Sequence, residues 1–122
     1  MGRAMKKILI ADDHESIRTA LTALLELVDG VEVVGEAVNG AEAVSMAAEL
    51  HPDVVIMDLR MPEMDGIEAT RLIKSRFVTI RVIGHSAYAS PDLSTAMTEA
   101  GADDFIIKGT LDLPYIESLI AA

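Results

Sequence analysis

Three acidic residues follow or close apolar segments of the chain, where burial would penalise a charge. Asp12 and Asp13 come directly after KKILIA (6–11), and Asp58 closes DVVIMD (53–58). Desolvation strongly disfavours an isolated charge, so a carboxylate at such a place needs a compensating partner. Three carboxylates in one small pocket would need a cation. Hard oxygen ligands of this kind suit Mg²⁺, which binds phosphate oxygens as well.

Two further polar residues end later apolar segments. Ser86 closes TIRVIGHS (79–86), and Lys108 closes DFIIK (104–108). With Mg²⁺ to offset the repulsion of an anionic donor, Asp58 is the candidate nucleophile that forms an aspartyl phosphate. Lys108 would add a positive charge, and Ser86 would offer its hydroxyl to a phosphoryl oxygen. Each residue alone has an ordinary alternative role as a cap, a turn residue or a solvated side chain, so the prediction depends on their joint position.

The apolar segments alternate with helical patterns, and this alternation predicts an α/β fold. Strands are expected at 6–11, 31–38, 53–58, 79–86 and 104–108, and helices at 16–27, 41–50, 66–76, 91–100 and 113–122. Near-continuous apolar strands are typical of a parallel sheet that is covered on both faces. The carboxyl ends of parallel strands share one edge, where open α/β sheets hold their sites. The five polar residues should therefore meet at that edge.

The composition limits the possible functions. The chain has 122 residues, of which 51% are hydrophobic, so one domain with a real core is expected. A net charge of −10 argues against nucleic acid contact by this segment, because such contact needs a basic surface. No apolar stretch is long enough for a membrane span, no secretory signal is visible, and there is no cysteine. A cytoplasmic protein without a membrane partner is predicted, with residues 1–4 as a leader and 5–122 as the domain.

Several stretches resemble the receiver domain of bacterial two-component response regulators. They are ILIADDH, PDVVIMDLRMPEMDG, the Ser86-Ala87 pair and GADDFIIK, and together the resemblance covers about residues 5–121. ADDH, VVGEAVNGAEAV and MDGIEATR are most similar to the NarL/FixJ-type subfamily. The resemblance implies a single doubly wound, flavodoxin-like domain whose five-stranded parallel sheet has the order 2-1-3-4-5 with five helices around it.

The resemblance also implies roles for the site residues. Asp58 would be the phosphoacceptor. The Mg²⁺ ligands would be Asp12, Asp13, Asp58 and the backbone carbonyl of Arg60. Lys108 and Ser86 would bind the phosphoryl group, and Ser86 and Phe105 would be the switch residues. A sensor histidine kinase would donate the phosphoryl group. The altered surface of helix four, strand five and helix five would then act through homodimerisation or through a DNA-binding domain that is absent from this chain.

Two other functions remain open from the sequence. A phosphorylation-independent interaction module of the same fold would not need three clustered carboxylates. A Mg²⁺-dependent phosphohydrolase with Asp58 as nucleophile would need a second aspartate two residues later, where this chain has Arg60. An enzyme with turnover is therefore not expected. Because the chain ends inside the fifth predicted helix, a receiver excised from a longer regulator is favoured over a stand-alone one.

Residues beside the site give four smaller expectations. Arg60 and Tyr88 should flank the phosphorylated carboxylate and slow its hydrolysis. The peptide bond before Gly109 should not be cis, since many relatives have proline there. His14 is expected in a loop or first helical turn rather than as a metal ligand. His85 alternates with the residue that closes its strand, so its side chain should point away from the site.

Overall fold

Strands and helices alternate in the computed structural model, which describes residues 5–87, 90–109 and 113–121. The strands are β1 (Lys6–Ala11), β2 (Val31–Ala37), β3 (Val54–Asp58), β4 (Arg81–Ser86) and β5 (Asp104–Ile107). The helices are α1 (Glu15–Leu25), α2 (Gly40–Leu50), α3 (Gly66–Arg76), α4 (Pro91–Ala100) and α5 (Leu113–Ala121). None of these helices is long and apolar enough to cross a bilayer. The predicted α/β alternation is confirmed.

The strands of the described residues form one parallel sheet in the order β2-β1-β3-β4-β5. This order confirms the prediction that followed from the family resemblance. The strand order reverses between β1 and β3, which are hydrogen-bonded neighbours with Ile8 opposite Val54. Their carboxyl ends therefore lie side by side at the switch point, where ligands of open α/β sheets bind.

Two apolar layers cover the sheet, one on each face. Successive residues of a strand point to opposite faces, so each inner strand contributes to both layers. Leu9, Val55 and Val82 pack in the layer of α2, α3 and α4. Ile56 and Ile83, one residue further along β3 and β4, pack in the layer of α1 and α5. Burial on both faces explains why these strands are almost entirely apolar in sequence.

Three helices that follow the carboxyl ends of strands begin at capping side chains. Asn39, Asp65 and Ser90 each accept a hydrogen bond from the backbone N–H three residues later, at 2.7, 2.9 and 3.4 Å. Such caps satisfy a free N–H group of the first turn and fix where the helix starts. They consequently set the lengths of the loops at the site edge of the sheet.

Two element bounds differ from the prediction by two residues. Helix α1 ends before the predicted Leu27, because the N–H groups of Leu27 and Val28 bond to the carbonyls three residues earlier, which tightens the last turn. Strand β4 starts later than predicted, because Ile80 N–H bonds to the Phe77 carbonyl in a turn. The other bounds agree to within one residue.

Candidate functional site

Asp12 lies just beyond β1 and is almost completely buried. Its Oδ2 lies 2.9 Å from Lys108 Nζ. Its Oδ1 accepts the His14 backbone N–H at 2.8 Å and lies 3.0 Å from His14 Nδ1. Burial would raise the pKa of Asp12, but the hydrogen bonds from Lys108 and His14 outweigh burial and leave that pKa lowered. Asp12 is therefore a buried anion with specific partners.

Asp58 closes β3 and is 5% exposed. Its Oδ1 lies 3.4 Å from Lys108 Nζ, so one ammonium group serves both buried carboxylates. Burial, followed by repulsion from Asp12, raises the pKa of Asp58 to about 6 despite the opposing charge of Lys108. Burial would lower the pKa of Lys108, but its bond to Asp12 and the charge of Asp58 leave that pKa raised.

The three predicted carboxylates come together with one histidine. Asp12, Asp13, His14 and Asp58 each offer a ligand atom, and these atoms all lie within 4.8 Å of one another. Asp12 and Asp58 are buried, whereas Asp13 and His14 are exposed, so the group opens to solvent. Carboxylate oxygens beside an open face suit Mg²⁺, which binds few protein ligands and keeps several waters. The donor set therefore fits the metal that the sequence predicted.

The remaining predicted residues belong to β4, β5 and the loops that follow β3 and β4. Ser86 is buried at the end of β4, and its carbonyl accepts the Lys108 N–H at 2.7 Å. Arg60 is exposed in the loop after β3, and Phe105 is half-buried against the layer of α2, α3 and α4. Tyr88 lies outside the described residues. Since no peptide bond among the described residues is cis, the expectation for Gly109 is confirmed.

The prediction for His85 was wrong. The sheet register places His85 beside Asp58, and the charges of Lys108 and Asp12 both act on its ring. His85 is buried there at 3% exposure. Burial, followed by the charge of Lys108, lowers the pKa of His85 to about 4. Alternation along β4 alone does not show whether His85 lies near the site, because this depends on which residue of β3 is its neighbour.

Two contacts of Asp12 were missing from the sequence interpretation. The first is with His14, which precedes the first residue of α1 as expected. Its Nδ1 lies 3.0 Å from Asp12 Oδ1 and 3.2 Å from Asp13 Oδ1. The position of His14 directly after two acids was the available signal. Arg18 donates to the Asp12 carbonyl at 2.7 Å and to Glu36 at 3.0 Å. No sequence pattern links Arg18 to a residue on β2.

Comparisons with known proteins agree with this fold. Residues 8–118 match the family model described as the response regulator receiver domain. The chain is 39% identical over 118 residues to the transcriptional regulatory protein LiaR of Bacillus subtilis (strain 168), covering 97% of this chain and 56% of LiaR. The chain thus spans about half the length of the curated relatives that it matches.

Solved structures give the same result. The signal receiver domain of NarL from Mycobacterium tuberculosis superposes with a TM-score of 0.91 at 29% identity, covering 98% of this chain and 96% of that one. The CheX–CheY–BeF3–Mg²⁺ complex from Borrelia burgdorferi gives a TM-score of 0.85 at 28% identity, covering 94% of this chain and 87% of that one.

Proposed function

The chain belongs to the response regulator receiver domain family, and from this membership we propose that Asp58 is its phosphoacceptor. Receiver domains are signalling proteins of two-component systems, where phosphorylation of an aspartate and Mg²⁺ binding are general features. The observation that carries the assignment is a buried carboxylate at a strand end that shares Lys108 with Asp12. Asp13 completes the acidic group beside it.

The reaction proposed for Asp58 is attack of a carboxylate oxygen on the phosphorus atom of a phosphohistidine in a sensor histidine kinase. A P–O bond forms while the P–N bond breaks, and the imidazole nitrogen keeps the electron pair and takes up a proton. Since the pKa of Asp58 is about 6, its carboxylate is ionised at neutral pH. Asp12, Asp13, Asp58 and the Arg60 carbonyl would hold Mg²⁺, which would supply positive charge against the repulsion between nucleophile and donor.

Lys108 is the group proposed to hold the product. Its ammonium already lies between Asp12 and Asp58, so it can follow the new negative charge to a phosphoryl oxygen. The Ser86 hydroxyl is proposed to donate to a second phosphoryl oxygen. Movement of Ser86 would open space for Phe105 to turn inward, which is a two-state element biased by a local change of charge.

The surface formed by α4, β5 and α5 is the proposed output. A cleft of 270 Å³ on it is lined by Ser90, Pro91, Ser94, Phe105 and Ile107, so rotation of the Phe105 ring would change its shape. A second copy of the receiver, or an attached DNA-binding domain, would respond to that change. The name of LiaR, a transcriptional regulatory protein, supports a role in transcription. The net charge of −10 argues that the receiver segment itself does not contact DNA.

Intact mass spectrometry after incubation with acetyl phosphate tests the function. One phosphoryl group per chain is expected with Mg²⁺ and none with excess EDTA. Asp58→Asn, which keeps the shape of the side chain, should remain unmodified. A modified Asp58→Asn protein would contradict the assignment. A folded wild type with neither an adduct nor phosphate release would favour the phosphorylation-independent module. Rapid release of phosphate without accumulation of the adduct would favour the phosphohydrolase.

Arg60 is proposed to prolong the phosphorylated state, because it is exposed two residues after Asp58 and can hinder an incoming water. Arg60→Ala should shorten the half-life of the aspartyl phosphate severalfold, measured as loss of phosphorylated mass after the donor is removed. Arg76→Ala, an exposed arginine at the end of α3, is the control. Equal half-lives would remove this role, and Tyr88→Ala tests the same role for Tyr88.

A further inference from the structure

Two loops at the site edge of the sheet are joined by a pair of hydrogen bonds. Gly40, the first residue of α2, donates its backbone N–H to the Met64 carbonyl at 2.8 Å. Asn39, the cap of α2, donates from Nδ2 to Glu63 Oε2 at 3.1 Å. We call these four residues the loop clamp. They connect the start of α2 with loop 59–65, which leads from β3 to α3.

The backbone part of the loop clamp requires glycine. A Cβ atom at Gly40 would overlap the carbonyl oxygen of Met64 and crowd that of Asp65. Both are backbone atoms, which cannot move aside as the end of a flexible side chain does. Gly40 is also buried. The helix start and the loop can therefore approach this closely only because position 40 has no side chain.

The amide of Asn39 serves both sides of this contact. Its Oδ1 accepts the Glu42 N–H at 2.7 Å and caps α2. This cap requires the oxygen to face the helix, so Nδ2 is left to face Glu63. Glu63 has a φ of 67°, in the left-handed region that is unfavourable for residues other than glycine. The Met64 N–H bonds to the Pro62 carbonyl at 2.8 Å and closes a tight turn across Glu63, and Asn39 bonds to the side chain at the centre of that turn.

The other end of loop 59–65 is fixed beside the proposed nucleophile. Gly66 N–H donates to the Leu59 carbonyl at 2.8 Å. A Cβ atom at Gly66 would overlap the carbonyl oxygen of Asp58. The loop is therefore held by α3 at its base and by α2 near its tip. Arg60 lies between these two anchors.

We propose that Asn39 and Gly40 are positioning residues for the metal site, because the loop clamp sets where the Arg60 carbonyl lies. Mg²⁺ demands nearly ideal octahedral geometry, so a small displacement of one ligand weakens its binding. This inference rests on the proposed function, in which Asp12, Asp13, Asp58 and the Arg60 carbonyl hold Mg²⁺. The inference adds that Asn39 and Gly40, which lie between β2 and α2, determine the affinity for Mg²⁺.

Titration calorimetry with Mg²⁺ on the folded chain tests the inference. Asn39→Asp keeps the helix cap, since aspartate is an equally good capping residue, but replaces the amide donor with a carboxylate that faces Glu63. The dissociation constant should rise by about three- to tenfold, the range of one lost hydrogen bond. The added negative charge alone would tighten cation binding, so weaker binding identifies displacement of the loop rather than charge.

A swapped pair provides the rescue. In the double variant Asn39→Asp with Glu63→Gln, the glutamine amide can donate to the new carboxylate, and the net charge equals that of the wild type. Its Mg²⁺ affinity should return to the wild-type value. Glu63→Gln alone keeps an acceptor for Asn39, so it measures the effect of losing the Glu63 charge while the clamp is kept.

Gly40→Ala tests the backbone contact and should weaken Mg²⁺ binding more than Asn39→Asp. Its matched control is Gly35→Ala, because the three atoms nearest to the added Cβ all belong to flexible side chains, with Leu50 Cδ1 the nearest at 2.9 Å. If Gly40→Ala does not fold, the Asn39 and Glu63 variants decide alone. Wild-type affinity in Asn39→Asp, or failure of the swapped pair to restore it, would overturn this inference only. A wild type that binds no Mg²⁺ would overturn the proposed function as well.

Discussion

Asp58 and His85 are buried ionisable residues on one face of neighbouring strands, and burial favours the neutral form of each. The pKa of Asp58 is raised from 3.8 to about 6, and the pKa of His85 is lowered from 6.5 to about 4. Folded Asp58 therefore binds more protons than the unfolded residue between these values. For His85 the unfolded residue binds more. The two shifts contribute to stability with opposite slopes against pH.

Single variants should reveal the two slopes in metal-free buffer. As pH falls from 6.5 to 4, protonation of unfolded His85 lowers the free energy of unfolding of the wild type. His85→Leu lacks this loss, so its free energy of unfolding should rise by about 3 kcal/mol relative to the wild type over that range.

Asp58→Asn avoids the buried charge at pH 7, so its free energy of unfolding should exceed that of the wild type there by about 3 kcal/mol. That advantage should vanish near pH 4, where folded Asp58 is protonated. Urea denaturation in small pH steps measures both, and three parallel curves would contradict both shifts.

At the scale of elements, Lys74 of α3 joins the starts of β4 and β5. Its Nζ donates to the carbonyls of Val78 and Ile80 at 3.2 and 2.8 Å and to Asp103 Oδ2 at 3.0 Å. Asp103 in turn accepts the Val82 N–H at 2.9 Å. The Lys74 side chain is 17% exposed, and its bond to the Ile80 carbonyl is partly buried, whereas those to Val78 and Asp103 are exposed. Lys74 thus fixes the ends of both strands opposite to the site.

Lys74→Met should lower the free energy of unfolding by about 2 kcal/mol, because two carbonyls and a carboxylate lose a charged donor while the apolar stem is kept. Arg76→Met, in the same turn and exposed, is the control and should change stability little. Urea denaturation at neutral pH measures both variants. Equal losses in the two proteins would show that the three Lys74 bonds contribute nothing.

Single strands and helices can be predicted from the sequence, whereas the contacts between them cannot. Strands and helices follow from local apolar periods, and the carboxyl-end placement of Asp58 and Lys108 follows from the parallel topology. Contacts such as Gly40 with Met64 depend on how separate βα units pack, which no local pattern contains. The face of His85 was mispredicted for a related reason, because alternation along one strand does not reveal which face of the sheet its neighbours share with the site.

For the whole molecule, an excess of acidic residues governs the response to cations. The chain has 20 Asp and Glu residues against 10 Lys and Arg, so its net charge is −10. Asp12, Asp13 and Asp58 place part of this charge in one pocket with a single lysine. Phosphorylation converts the Asp58 carboxylate into an acyl phosphate with about two negative charges, so it adds about one negative charge to the pocket. The folded state should therefore be stabilised by any salt through screening, and additionally by a cation that binds the pocket.

These two effects of cations can be separated by melting the chain in MgCl₂ and in NaCl of equal ionic strength. Binding to the folded state alone adds about 2.7 kcal/mol when Mg²⁺ is present at a hundred times its dissociation constant, so MgCl₂ should raise the melting temperature well beyond NaCl. Asp13→Asn removes an exposed carboxylate of the pocket and should abolish the extra rise without disturbing the core. Asp29→Asn, exposed in the turn before β2, should retain it. If MgCl₂ and NaCl raise the melting temperature equally, screening explains the whole effect and the acidic pocket holds no specific ion.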